Sequence, residues 1–334
     1  MPPETLRRSA DDLGHQSPGH RKPAHPLAIV AGPTGAGKSA LAIELALQFR
    51  GEIVNYDSLQ LYRGFDIGTA KTPVAERRGV PHHLLDVLDC TAGYSAGEYC
   101  RAGRAVLREI SGRGRLPILV GGTGFYLKAL LEGLPRLPES DERLRAKLAA
   151  KEKRKPGTLD RLLSRLDPAA AARIHANDVQ KLTRALEIRL TTGKLLPPRE
   201  EAAPLEGFEA IKIGLNPDRD ELRRRLDGRV VAMFEQGLLD EIRRLLAEGA
   251  TGEEKPFEAL GYKQGLAHLR GKLTLAEAIE STQVETRQYA KRQLTWFRRD
   301  PDIRWLAGFG DDAAIQKKAA ELVREKFAAQ ATLE

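Results

Sequence analysis

The sequence predicts an α/β fold, in which a parallel sheet is flanked by helices, and three observations support it. Apolar runs with the length of buried strands recur along the chain and alternate with helical segments. A glycine-rich stretch joins the first of these strands to a helix. A later segment has short helical stretches rich in Arg and Lys and almost no β-branched runs, which indicates a helical insertion. The predicted strands are residues 27–31, 52–56, 82–87, 116–120, 208–215 and 303–306.

The glycine-rich stretch, residues 32–39, matches the phosphate-binding pattern G-x-x-x-x-G-K-[ST] at every defined position. Its glycines let backbone N–H groups converge on an anion at a helix N-terminus, where the peptide dipoles favour negative charge. A plain glycine-rich turn is the alternative, but it leaves the Lys-Ser pair unexplained. We therefore predict a P-loop NTPase-like core, in which Lys38 adds positive charge and Ser39 can hold Mg²⁺. The loop consists of Gly32, Pro33, Thr34, Gly35, Ala36, Gly37, Lys38 and Ser39.

The composition is that of an ordinary water-soluble protein with a basic balance. Of 334 residues, 41% are hydrophobic and 30% are charged, and no apolar run approaches the roughly 18 residues that cross a bilayer. We expect no membrane partner and a cytoplasmic location. Cys90 and Cys100 are the only cysteines, too few for a disulfide framework or a four-ligand zinc site. The net charge of +8 favours a polyanionic partner.

The domain organisation follows from changes in this pattern. Residues 1–26 combine prolines with charges and lack apolar periodicity, so we expect a disordered N-terminal tail. Residues 27–135 and 200–334 are predicted to form the catalytic core, and residues 136–199 the helical insertion domain. Late in the core, a predicted helix over 273–299 ends in a stretch that interleaves cations with aromatic residues.

Polar residues at strand ends are the first candidates for catalysis, because open α/β sheets place their chemistry at the carboxyl ends of strands. Asp57 directly follows the strand at 52–56, and a turn or capping role is its plainer alternative. Residues 121–124, GGTG, follow the strand at 116–120. The spacing alone supports two interpretations equally. The turn either lets a ligand approach the backbone closely or is simply a tight connection from strand to helix.

Two predicted helices carry residues suited to phosphate contacts. In the insertion, residues 178–187 form an amphipathic helix whose polar face is either solvated or in contact with nucleic-acid phosphates. The helix after residue 218 has more arginines than solubility requires, so some should face the phosphate site or a polyanion. The first helix has an apolar face of Val179, Leu182 and Leu186 and a polar face of Gln180, Lys181 and Arg184, and the second carries Arg219, Arg223, Arg224, Arg225 and Arg229.

The phosphate loop alone leaves the reaction open. ATP-dependent phosphoryl transfer would need an apolar strand that ends in Asp beside the loop, to hold Mg²⁺. The strand at 116–120 ends in Gly-Gly-Thr instead, although Asp57 and Asp86 remain available at strand ends. A kinase therefore stays an alternative beside a second use of the loop, in which the bound diphosphate is the leaving group.

Five motifs, in the same order, resemble those of the tRNA dimethylallyltransferase family, also called tRNA isopentenyltransferases. They extend from about Leu27 to Leu306, and together they are far more specific than any one alone. The motifs are GPTGAGKS at 32–39, DSLQLY at 57–62, DIGTAK at 66–71, GGT at 121–123 and YAKRQLTWFR at 289–298.

The resemblance implies transfer of a dimethylallyl group from dimethylallyl diphosphate to N6 of adenosine 37, in tRNAs that read codons beginning with U. It also implies Mg²⁺ as cofactor and an inserted all-helical domain that clasps the tRNA anticodon stem-loop. An accessory zinc finger, present in some members, is not expected because no Cys/His cluster follows Cys100. No repeat or coiled-coil seam suggests assembly, so we expect a monomer.

Functional residues of the family can be carried over position by position. The loop binds the diphosphate, Lys38 offsets its growing charge and Ser39 helps to hold Mg²⁺. Asp57 matches the general base for the adenine N6 proton, and the weakly nucleophilic amine needs such an acceptor. Arg225 is assigned to the diphosphate, although neighbouring arginines compete for the alignment. The implied catalytic residues are Lys38, Asp57, Thr123 and Arg225, and the implied tRNA-binding residues are Asp57, Ser58, Leu59, Gln60, Thr123, Arg145, Gln180, Lys181, Leu182, Thr183 and Arg184.

Other function classes stay open beside tRNA prenylation. One is a nucleotide or small-molecule kinase, with a near neighbour in isopentenyltransferases that act on free adenine nucleotides. Enzymes for free nucleotides need no cationic helical arm, so the insertion discriminates against them. The other is a non-catalytic RNA-binding protein with a vestigial loop, and the intact Lys38, Ser39 and Asp57 argue against it.

Overall fold

The computed structural model describes residues 24–135, 137–138, 140–196 and 202–331. Most of the predicted N-terminal tail and the proline pair that ends the predicted insertion lie outside the described residues. Within the ranges given, no helix combines the length and the apolar character needed to cross a bilayer.

The described strands form one parallel sheet. They are β1 (His25–Ala31), β2 (Gly51–Asn55), β3 (His82–His83), β4 (Leu116–Val120), β5 (Phe208–Leu215) and β6 (Ile303–Leu306). Their spatial order is β3-β2-β4-β1-β5-β6, and every pairing is parallel. Strand β1 lies inside the sheet, and its last five residues are buried. The predicted α/β class with a parallel sheet is confirmed.

The tail boundary is predicted two residues too late. Strand β1 already begins at His25, whose backbone N–H donates to the carbonyl of Gly207 at 2.8 Å. Pairing of His25 with Phe208 extends the strand beyond its apolar run, so hydrophobicity alone underestimates its length.

The strand predicted over 82–87 ends at His83. Leu84 and Asp86 have φ angles of +57° and +55°, which are incompatible with an extended strand. Long-range contacts stabilise this bend, because the Asn55 amide donates to the Leu84 carbonyl at 2.9 Å. The buried Lys71 ammonium likewise contacts the Asp86 carboxylate.

Helices cover both faces of the sheet. Alternate residues of β1 enter two hydrophobic clusters, with Leu27 and Ile29 in one and Ala28 and Val30 in the other. The core helices are α1 (Lys38–Gln48), α2 (Ala96–Gly112), α3 (Gly124–Glu132), α8 (Arg219–Glu235), α9 (Leu238–Ala247), α10 (Tyr262–Leu269), α11 (Leu275–Phe297) and α12 (Ala313–Ala331).

Between α3 and β5, the chain forms four further helices and no strand among its described residues. They are α4 (Glu142–Arg154), α5 (Thr158–Leu166), α6 (Pro168–Ala171) and α7 (Val179–Thr192). These helices have a hydrophobic cluster of their own, which includes Leu148, Leu163 and Leu186. The segment therefore packs mainly on itself, as an insertion between two elements of the sheet domain would.

Candidate active site

The phosphate loop joins β1 to α1 at the carboxyl edge of the sheet. Gly37 caps α1 with a φ of +83°, a left-handed conformation that favours glycine. A Cβ on Gly32, whose φ is +142°, would lie 2.9 Å from the carbonyl oxygen of Leu215 on β5. The loop therefore packs closely against a neighbouring strand and leads into the helix N-terminus, where an anion is favoured.

Lys38 lies partly buried at the first position of α1. Its ammonium donates to the Pro33 carbonyl within the loop at 2.8 Å. Burial lowers the pKa of Lys38 to about 8, and the negative charge of Asp57 partly opposes this fall. A bound anion would stabilise the charged form of this lysine further.

Asp57 follows β2 and is held in place by Asn55. The Asn55 side chain accepts from the Asp57 N–H at 2.9 Å and donates to the Asp57 carbonyl at 3.0 Å. The Asp57 carboxylate accepts from the Leu59 N–H at 3.0 Å, so it also has the turn role named as its alternative. Burial raises the pKa of Asp57, against opposing effects of backbone hydrogen bonds and of Lys38 and Arg229. A carboxylate with raised basicity suits proton abstraction.

The turn after β4 lies directly against this carboxylate. Thr123 is the N-cap of α3 but its hydroxyl makes no capping bond. The hydroxyl instead accepts from the Ser58 N–H at 3.0 Å and donates to the Ser58 Oγ at 3.2 Å. A Cβ on Gly122 would lie 3.0 Å from the Asp57 carboxylate. The small residues of this turn therefore allow close approach of protein side chains, and approach of a ligand to the same backbone stays a prediction.

Two residues of α11 reach the site and are missing from the predicted set. Gln293 is buried, accepts from the Thr34 N–H at 2.7 Å and donates to the Gly122 carbonyl at 3.0 Å. Tyr289, one turn earlier, lies near both Gly122 and Gln293, and burial together with the Asp57 charge raises its pKa. Both belong to the motif at 289–298, but the sequence alone does not indicate which of its side chains point inwards.

The assignment of Arg225 to the diphosphate stays a prediction, and Arg229, one turn further along α8, is a second candidate because its charge acts on Lys38 and Asp57. The Arg225 guanidinium donates to the Asp311 carboxylate at 2.9 and 2.7 Å. Burial lowers the pKa of Arg229, and its positive charge acts on both Lys38 and Asp57. The i, i+4 spacing places both arginines on one helix face, which is why the sequence could not separate them.

Residues 57–60 are braced by the loop at 66–71. The Gln60 side chain donates to the Thr69 carbonyl at 3.0 Å. The Lys71 side chain is 3% exposed and contacts two carboxylates and a backbone carbonyl around the same loop. The predicted tRNA contacts of this segment, Ser58, Leu59 and Gln60, are partly buried.

Two of the predicted tRNA contacts in the insertion neutralise a buried acid. Arg145 donates to the Glu187 carboxylate at 3.0 and 3.1 Å, and Arg184 contacts the same group. Burial alone would raise the pKa of Glu187, but hydrogen bonds from the two arginines hold it below its ordinary value. Their guanidinium groups are therefore committed to packing of the insertion as well as exposed in part to solvent.

The other predicted contacts on α7 differ in exposure. Leu182 is 0% exposed and packs inside the insertion, so its side chain does not reach the surface. Thr183 is partly buried, whereas Gln180 and Lys181 are exposed. Lys181 pairs with Asp178 at the start of the same helix. Because such exposed ion pairs contribute little free energy, Lys181 can exchange Asp178 for another anion at low cost.

Sequence comparisons place this chain in a known family. A family model described as IPP transferase matches residues 60–300. A tRNA dimethylallyltransferase of Solibacter usitatus is 55% identical over 309 residues, which cover 91% of this chain and 100% of that protein. A tRNA dimethylallyltransferase of Koribacter versatilis is 51% identical over 302 residues, which cover 89% of this chain and 98% of that protein.

Solved structures agree with the sequence comparisons. The full-length tRNA isopentenylpyrophosphate transferase from Bacillus halodurans has a TM-score of 0.67 and 37% identity, with 92% of this chain and 99% of that chain covered. A eukaryotic dimethylallyltransferase acting on tRNA has a TM-score of 0.74 and 30% identity, with 93% and 79% covered. Because the family model matches more than half of the chain and the relatives match nearly all of it, the chain belongs to the IPP transferase family.

Proposed function

We propose that this protein transfers a dimethylallyl group from dimethylallyl diphosphate to N6 of adenosine 37, in tRNAs that read codons beginning with U. The bond from C1 to the diphosphate oxygen breaks, a bond from C1 to N6 forms, and one N6 proton passes to Asp57. The observation that supports this most strongly is the position of Asp57, a carboxylate with a raised pKa, at the same sheet edge as the cationic phosphate loop. The family membership supplies the classes of donor and acceptor.

On the donor side, positive charge stabilises the leaving group. Negative charge grows on the diphosphate as C1 ionises, and preorganised cations favour that transition state over the ground state. Lys38 and Arg229 supply this charge, and burial lowers the pKa of each. Because partial burial reduces solvent screening, each cation acts more strongly here than it would on an open surface.

On the acceptor side, Asp57 compensates for a weak nucleophile. The lone pair of the adenine amine is delocalised into the ring, so a proton acceptor in contact with N6 is required. The raised pKa makes Asp57 a stronger base than an ordinary carboxylate. The target base must leave its stack to reach this position, which costs a few kcal/mol and is easiest in an unpaired loop.

We also propose that Mg²⁺ accompanies the donor. The described residues contain no group of three or more His, Cys, Asp or Glu side chains that could hold a metal unaided. The Ser39 hydroxyl on α1 is a hard oxygen ligand, and Mg²⁺ usually completes its shell with phosphate oxygens and water. These residues therefore fit a metal that binds together with the diphosphate, whose charge it would help to neutralise.

The insertion is proposed to bind the tRNA anticodon stem-loop. Its exposed Lys181 and its two partly exposed arginines provide charge for RNA phosphates. A monomer in the cytoplasm remains our expectation for the working enzyme.

A transfer assay tests the proposal. The full chain is incubated with Mg²⁺, radiolabelled dimethylallyl diphosphate and either an unmodified anticodon stem-loop or AMP. We expect label on the stem-loop alone, and Asp57→Asn should lower kcat at least 100-fold with little change in stem-loop Kd. Label on AMP but not on RNA would overturn the acceptor assignment, and ATP turnover without any label would favour a kinase. Wild-type turnover by the Asp57 variant would remove the general-base role.

A further inference from the structure

A line of aromatic and cationic side chains leads outwards from Asp57. We call it the aromatic stripe, and it consists of Tyr289, Arg292 and Trp296 on α11 and Phe125 on α3. Tyr289 forms its inner end, because a Cβ on Gly122 would lie 3.6 Å from the Tyr289 hydroxyl and 3.0 Å from the Asp57 carboxylate. The exposed Arg292 guanidinium lies 5.8 Å from the centre of the Tyr289 ring.

Trp296 and Phe125 form the outer end of the stripe. Trp296 lies seven residues beyond Tyr289 on the same face of α11, roughly 10 Å further along the helix axis. Its indole rests on the backbone of α3, because a Cβ on Gly124 would lie 2.2 Å from indole atoms. Trp296 is 39% exposed and Phe125, the next residue after Gly124, is 51% exposed. Two large aromatic side chains are therefore exposed to solvent at the start of α3, next to Thr123.

The cations around the stripe are available for a ligand. Arg292 and Arg299 are exposed, and neither forms an ion pair with any residue that the structure describes. Arg287, earlier on α11, differs because it pairs with Asp227. Unpaired cations interleaved with exposed aromatic rings match the chemistry of a single nucleic-acid strand, which has phosphates on one side and base faces on the other.

We propose that Trp296 and Phe125 stack on the unpaired bases that flank the target adenosine, while Arg292 and Arg299 contact the adjoining phosphates. This inference rests on the proposed function, because it takes an RNA loop as the acceptor. When the target base leaves its stack to reach Asp57, each neighbouring base loses a stacking partner. The aromatic rings replace that partner, which lowers the cost of extrusion without selecting a particular neighbouring base.

Binding measurements with matched RNA loops test the stacking. Kd is measured for an anticodon stem-loop and for two loops with an abasic site immediately 5′ or 3′ of the target adenosine. Phe125→Ala should weaken binding of the intact loop about tenfold. It should raise Kd less than about twofold for whichever abasic loop lacks the base that stacks on Phe125. Phe125→Leu should resemble Phe125→Ala, because it keeps apolar volume but loses the ring face.

Matched controls separate stacking from general surface effects. Val74→Ala removes a side chain that is 75% exposed on a helical turn away from the stripe, and it should leave every Kd unchanged. Trp296→Ala leaves Gly124 uncovered, so the thermal midpoint of this variant is measured as a check on its fold. Trp296→Phe keeps an aromatic ring and should retain most of the affinity for the stem-loop. With 2-aminopurine in place of the stacked base, fluorescence should be quenched by the wild type and less by Phe125→Ala.

Two results would overturn the inference. The first is an equal loss of affinity by Phe125→Ala on intact and abasic loops, and the second is no loss and no change in quenching for either aromatic variant. If the wild type transfers the prenyl group to the stem-loop in these cases, the proposed function stands and only the stacking is removed. If the wild type neither binds nor modifies the stem-loop, both proposals fall together.

Discussion

At the scale of single residues, Asp57 and Lys38 have opposite shifts in pKa with the same cause. Burial favours the neutral form of each group, so it raises the pKa of the acid and lowers that of the base. Their mutual attraction opposes both shifts but is the smaller effect. The proposed mechanism needs both groups in their charged forms, since in it Asp57 accepts a proton and Lys38 faces a diphosphate.

A bell-shaped pH profile follows for the free enzyme. Below the raised pKa of Asp57 the carboxyl is protonated and cannot act as a base, so kcat/KM should fall at a higher pH than for an ordinary aspartate. Above the Lys38 pKa of about 8 the cation is lost, so kcat/KM for the donor should fall again on the alkaline side.

The kcat profile at saturating donor separates the two limbs. Bound diphosphate stabilises the lysine cation, so the alkaline limb of kcat should lie at higher pH than that of kcat/KM. The residual activity of Lys38→Arg should have no alkaline limb near pH 8, because a guanidinium stays charged there. A wild-type kcat/KM that stays constant from pH 7 to pH 10 would contradict the role given to Lys38.

At the scale of elements, α11 joins the donor and acceptor sides of the site. The Gln293 side chain bonds the Thr34 N–H of the phosphate loop and the Gly122 carbonyl beside Asp57. The Thr34 group belongs to the loop that we propose binds the diphosphate, so Gln293 holds this loop against the turn beside Asp57. Gln293 is thus a positioning residue that acts through the backbone of both segments.

Gln293→Leu should lower both stability and turnover. Leucine is of similar size but leaves a buried N–H and a buried carbonyl unpaired, which should reduce the free energy of unfolding by about 2 kcal/mol. We expect kcat to fall about tenfold, since the two halves of the site lose their alignment, while the stem-loop Kd changes less than threefold. Gln288→Leu, on the exposed side of the same helix, is the matched control. Equal kcat values for the two variants would show that Gln293 does not position the site.

At the scale of the whole molecule, the sheet and the phosphate loop could be predicted because local patterns determine them. Apolar runs of strand length identified five of the six described strands closely, and the glycine positions of the loop have the left-handed φ angles that only glycine adopts easily. The strand predicted over 82–87 is the exception: it ends at His83 because the conformations of Leu84 and Asp86 depend on partners distant in sequence. Local hydrophobicity contains no information about such contacts.

The less predictable part of the site depends on which way each helix faces. Arg225 and Arg229 are one turn apart, so the sequence offers both to the diphosphate, and only the packing of α8 shows that Arg225 pairs with Asp311 while the charge of Arg229 acts on Asp57. Gln293 contacts Thr34 across 259 positions of sequence, and no local signal marks that pair. Polar residues that connect distant segments are therefore the ones that sequence analysis misses here.

The insertion gives a final prediction, because its cations serve two different purposes. Lys181→Ala removes an exposed charge that, among the described residues, pairs only with the nearby Asp178, so the fold should be unaffected. If Lys181 contacts an RNA phosphate, its loss should reduce the slope of log K against log salt by about one for the stem-loop. Arg184→Ala instead deprives the fully buried Glu187 of a partner and should reduce the stability of the insertion by on the order of 3 kcal/mol.

Salt titrations of stem-loop binding and thermal unfolding of the same variants distinguish these outcomes. Lys317→Ala, an exposed lysine on α12, is the matched control and should change neither the salt slope nor the thermal midpoint. A Lys181 variant with the wild-type salt slope would mean that this face of α7 does not bind RNA. An Arg184 variant with the wild-type midpoint would mean that Arg145 alone suffices to neutralise Glu187, which would leave Arg184 available for RNA.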